Sequence, residues 1–195
     1  MRLSLLIAVF TVAPLSAQQP VHHGRERALS VTPPRLEAQA TVDGALDEPV
    51  WSQAALLTGF TQYRPVDGRP AEDSTEVLVW YAPDAIWFGI RAYEPHGTVR
   101  ATLSDRDKID NDDYVQLLLD TFDDRRRAYV IGVNPLGVQA DGIRTEGTGG
   151  AAGGFGAGGR FENVDMNPDF LYDSKGHVTP WGYEVEIRLP FKSVT

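Results

Sequence analysis

Asp105, Asp107, Asp110, Asn111, Asp112 and Asp113 crowd oxygen-bearing side chains into one short stretch. Hard cations such as Ca²⁺ take about six to eight oxygen ligands, and a loop running into a strand can offer several to one side. The spacing is not that of an EF-hand, which needs a Gly and a distal Glu at fixed offsets. A second reading stays open, a solvated acidic loop whose Asp side chains bond their own turns and are partly balanced by Arg106 and Lys108.

A second constellation suits hydroxyl-rich ligands. Sugar recognition needs exposed aromatic faces with planar hydrogen-bonding groups beside them. Trp87, Tyr93, Trp181 and Tyr63 supply candidate faces, and Arg91, Asp112 and Glu184 candidate polar partners. Each ring has a bland alternative as core. Trp80, in mid-strand, is assigned to the core, and Trp51 reads as a core plug. Trp181 is the best platform, because Pro180 and Gly182 hold it at a strand entrance. Catalysis finds no comparable constellation. There is no Gly-x-Ser-x-Gly elbow, the isolated His96 and His177 do not make a zinc set, and no carboxylate pair stands out for glycoside hydrolysis.

These residues must be positioned by strands. Asp112–Asp141 reads as a meander in which Tyr114–Asp120 and Ala128–Val133 are short apolar runs, joined by the charged tip Thr121–Arg127. Asn134-Pro135-Leu136-Gly137 has type I turn chemistry and sends Val138–Ala140 back along the sheet. Glu76–Tyr81 and Ala85–Tyr93 are apolar on both faces, as in the middle of a sandwich. Asp173–Gly176 reads as a turn before Trp181–Leu189, whose strict alternation predicts a strand with one wet face. Asp47 is the expected cap of a single helical turn carrying Pro49 and Trp51. The fold class is all-β, an antiparallel β-sandwich of jelly-roll or immunoglobulin-like kind with one short helical turn.

Composition narrows the setting. The chain has 195 residues, a net charge of −9 and no cysteine, which allows one domain of ordinary size, or one domain plus short appendages, without disulfides. The acidic balance argues against a nucleic-acid surface. Residues 1–17 read as a signal peptide, with Arg2 ahead of the apolar run Leu3–Val12 and small residues around Ala17; the alternative is an uncleaved N-terminal anchor. Residues 18–35, rich in Pro, read as a flexible tether, residues 36–195 as the sandwich, and 142–160 within it as a Gly-rich loop lacking the Lys of a phosphate loop.

Asp43-Gly44, Leu46-Asp47-Glu48 with Trp51, Thr75-Glu76-Val77, Arg106-Asp107, Asp112–Arg126, Asn134–Gln139 and Glu184–Lys192 together resemble the carbohydrate-binding module family 9-like domain. The version resembled stands at the front of exported bacterial proteins whose remainder resembles an outer-membrane β-barrel. The resemblance covers about 36–193. It implies a non-catalytic glycan-binding sandwich, export to the periplasm, outer membrane or exterior, a link to carbohydrate catabolism and structural calcium. The family's ring-clamp aromatics align with no specific positions here, so the candidates remain those of the two constellations: Trp87, Arg91, Tyr93, Trp181 and Glu184 for the sugar, and Asp105, Asp107, Asp110, Asp112 and Asp113 for the ion. Two departures stand against it: the Gly-rich loop replaces an expected aromatic segment, and the chain stops at Thr195. The alternative is a periplasmic interaction domain of an outer-membrane barrel without a sugar site. A glycoside hydrolase ranks last.

Overall fold

The computed structural model describes residues 19–24, 30–62, 66–145 and 164–194. The signal-peptide reading, Tyr63 and most of the Gly-rich loop lie outside them. Two sheets make a sandwich. The first runs β1 (Val21–His23), β2 (Ala55–Thr58), β5 (Thr75–Tyr81), β6 (Ala85–Tyr93), β12 (Gly182–Pro190) and β11 (Asp173–Thr179) in spatial order. The second runs β10 (Val164–Asp165), β9 (Gln139–Thr145), β8 (Arg127–Val133) and β7 (Val115–Leu119). A small ribbon pairs β3 (Thr61–Gln62) with β4 (Arg69–Pro70). Among the described residues every strand pairing is antiparallel except that of β1 with β2.

The expected meander is β7, β8 and β9, three strands of the four-stranded sheet, to which β10 adds an edge. Gly137 N–H donates to Asn134 O at 2.9 Å and Gly137 takes φ +85°, closing the β8–β9 turn as its residues dictate. The charged tip closes on itself, with Asp120 and Asp124 accepting from backbone N–H groups of the same loop.

Alternation sorts the six-stranded sheet into two faces. Val79, Phe88, Ile90, Tyr183, Val185, Ile187 and Leu189 point into the sandwich and meet Ile131 and Val133. Trp80 and Trp87 point the other way, under a cover made by residues 36–54. Leu46 and Trp51 press so closely there that a Cβ on Gly89 would stand 2.7 Å from Leu46 Cδ2. The domain therefore has three layers, and β5 and β6 are apolar on both faces because both are covered.

That cover corrects several expectations. The face of β12 expected to be wet is roofed, and Glu186 has no solvent exposure. Val21–His23, read as tether, pairs with β2, and Leu36 N–H bonds Tyr81 O. The helical turn, Pro49–Gln53, is capped at Glu48 rather than Asp47 and without a side-chain cap. Glu48 instead accepts from Trp51 Nε1 and from the Thr41 N–H. Trp51 is the core plug expected. A second single turn follows at Phe191–Ser193. Asp173–Gly176 is strand rather than turn: Gly176 is needed because a Cβ there would sit 2.3 Å from Pro135 O. Gly142–Thr145, assigned to the loop, belongs to β9.

Candidate functional site

Trp87, Arg91 and Tyr93 lie at alternate positions on the outer face of β6 and meet different fates. Trp87 is 1% exposed and stacks on Trp80, with ring centroids 5.0 Å apart and planes 7° apart. It is core, and its proposed role as a sugar platform is corrected: the cover buries it.

Tyr93 lies past the cover, at the end of β6. Its ring packs against Trp181 with centroids 4.9 Å apart and planes tilted by 35°. Trp181 is 37% exposed. The tight connection of β11 to β12 sets its position, with Pro180 and Trp181 as the two linking residues. Gly182 takes φ +148°, and a Cβ there would stand 2.0 Å from Ala92 O, so only glycine lets the hairpin lie this close to β6. Glu94 N–H then bonds Trp181 O at 2.9 Å.

Polar groups flank the rings. Strand register sets Arg91 between Glu76 on β5 and Glu184 on β12. Arg91 Nε donates to Glu184 Oε1 at 2.9 Å, and its Nη1 lies 3.8 Å from Glu76 Oε2. Tyr93 O–H donates to Glu76 Oε2 at 3.3 Å. Burial, then the Glu76 charge, raises the Tyr93 phenol above its ordinary value, so it stays a neutral donor. Arg91 and Glu184 also grip the cover, Nη2 donating to Leu46 O at 3.2 Å and Glu184 Oε2 accepting the Leu46 N–H at 3.4 Å. The structure thus brings together Tyr93, Trp181, Arg91 and Glu184 and separates Trp87 from them. Glu76, which joins them, was not among the sequence candidates. Its signal was faint, a lone charge at the mouth of an apolar strand.

The geometry of the rings limits what they can do. A sugar gripped between two rings needs a van der Waals gap of about 3.5–4 Å on each side. Tyr93 and Trp181 already touch, so they offer one composite face for stacking rather than a clamp.

The acid loop is organised differently. Asp112 is buried and accepts from Thr102 N–H and from Asn134 Nδ2 at 2.8 Å. Asp113 accepts the Arg100 N–H at 2.7 Å. Asp107, at φ +65°, accepts the Asp141 N–H at 3.0 Å. Arg106 beside it reaches the buried Asp141, Gln139 and the Phe170 carbonyl. Asp105 and Asp110 are exposed, Asp110 on an open depression with Lys108 and Asn111. Among the described residues no three acidic or histidine side chains gather to hold a metal ion. Asp107, Asp112 and Asp113 thus serve as hydrogen-bonded anchors of the loop, while Asp105 and Asp110 face solvent.

The fold is a β-sandwich similar to that of family 9 carbohydrate-binding modules. Two solved structures of such a module from Caldicellulosiruptor kristjanssonii are similar. The one in complex with cellotriose has a TM-score of 0.51 at 15% identity over 80% of this chain and 67% of that one. The one in complex with glucose has 0.52 at 17% identity, over 80% and 69%. A candidate carbohydrate-binding protein from Bacteroides uniformis gives 0.57 at 11% identity, over 91% and 75%. At these identities the likeness establishes the fold. Neither a family profile nor a curated protein matches the chain in sequence.

Proposed function

We propose that this chain is a non-catalytic carbohydrate-binding domain of an exported protein, and that the Trp181–Tyr93 face receives the sugar. The observation that carries the reading is an aromatic stack left open to solvent, beside an Arg and two Glu, on a fold whose solved examples hold glucose and cellotriose. A pyranose presents a flat C–H face that packs on such rings, while its ring hydroxyls reach the carboxylates and guanidinium at the edge. Export rests on the composition of residues 1–17.

Titration with glucose, xylose and their oligomers tests it, read by tryptophan fluorescence and calorimetry. A saturable response lost in Trp181→Ala is expected. A flat response across the series, or one unchanged in that variant, overturns the reading and favours an interaction domain without a sugar site.

A further inference from the structure

Glu186 is unlike every other carboxylate near the surface of the six-stranded sheet. It is wholly buried between β12 and the cover. Its Oε2 accepts the Asp43 N–H at 2.9 Å and the Gly44 N–H at 2.7 Å, while its Oε1 has no partner. Gly44, at φ +96°, lies so close to Gly176 that a Cβ would stand 3.0 Å from the Gly176 backbone, so this turn is seated tightly on the sheet. Sugar binding at the Trp181 face gives Glu186 no role, and the chemistry of this carboxyl is the same whether or not a sugar binds there.

The charges around it do not compensate an ionised carboxylate. The cover contributes Asp43 and Glu48, both acidic. On its own strand Glu184 is paired with Arg91, and Arg188 with Asp84 and Asp173. On β6 its register partner is Gly89, and on β11 it is Lys175, which is exposed and forms no ion pair with it. A buried charge without a counter-ion is costly, and proteins relieve it by keeping the proton or by opening to water. We propose that Glu186 is a proton-operated clasp, which holds the Asp43–Gly44 turn on the sheet when protonated and lets the N-terminal cover loosen when ionised. Burial, opposed only in part by the two N–H donors, pushes its carboxyl up to about 7, which sets the clasp to work around neutrality.

The test monitors the Asp43 and Gly44 backbone amides by NMR in the whole chain, with hydrogen exchange corrected for intrinsic rate. Both amide shifts should titrate with a midpoint near 7. Protection of amides in 41–54 should fall at least about ten-fold between acid and alkaline pH, while those of β8 hold. Glu186→Gln, which cannot ionise, should abolish both effects. A midpoint below about 5, or identical exchange profiles in the two proteins, overturns the proposal. Should the variant not fold, the wild-type midpoint alone decides.

Discussion

Two aromatic stacks lie on one face of one sheet, and they differ in almost everything except ring separation. Trp80 and Trp87 stack nearly parallel at 5.0 Å and are sealed from water; Tyr93 and Trp181 meet at 4.9 Å, tilted, with Trp181 open. Trp87 and Tyr93 even share β6 and a side of it. What separates them is the reach of residues 36–54, which roof the Trp87 end and stop at Arg91, held there through Leu46. Residue type makes an aromatic stack; coverage decides whether it is a core or a surface for binding.

The largest expected consequence of that contrast is in stability. Trp80→Ala should cost about 3–5 kcal/mol, enough to unfold much of the protein, measured by urea denaturation. Trp181→Ala should cost under about 1 kcal/mol and act on binding instead. Equal losses would erase the distinction between the two stacks.

Acidity comes next. The folded state holds the Glu186 carboxyl at about 7, above the ordinary 4.5. Below 4.5 both folded and unfolded chains carry the proton, so this contribution is fully present. Between 4.5 and about 7 only the folded chain keeps it, and stability falls as pH rises, by up to about 3 kcal/mol, and then levels off. Denaturation at pH 5 and pH 8 should show the fall in the wild type and lose it in Glu186→Gln.

A smaller effect probes the roof itself. Gly89→Ala places a methyl against Leu46 and Trp51, and should cost about 1–3 kcal/mol while leaving β8 undisturbed. Hydrogen exchange of the cover would register it. A neutral result would mean that the cover is looser than its contacts imply.

Much of this was legible in the sequence. Alternating and two-sided apolar runs marked β5, β6, β8 and β12, because strand period depends only on nearest neighbours. The Asn134–Gly137 turn announced itself for the same local reason. The cover did not. Glu186 sits in a pattern that reads as wet, and its burial is imposed by a turn 143 residues earlier in the chain. Gly176 looked like turn chemistry, whereas it serves the close approach of Pro135 from the other sheet. The site divided along the same line. Trp181 could be singled out from Pro180 and Gly182 beside it, but Trp87 could not be excluded, since the residues that bury it are distant in sequence. In the acid cluster, composition does not encode that Asp107, Asp112 and Asp113 accept from the Asp141, Thr102 and Arg100 N–H groups.

The most direct test reads the four tryptophan indole N–H signals while glucose or cellotriose is added. Trp181 should shift and saturate, with Trp51, Trp80 and Trp87 still. Movement of the buried three with Trp181 unmoved, or no movement at all, would contradict the claim that the open stack is where the sugar lies.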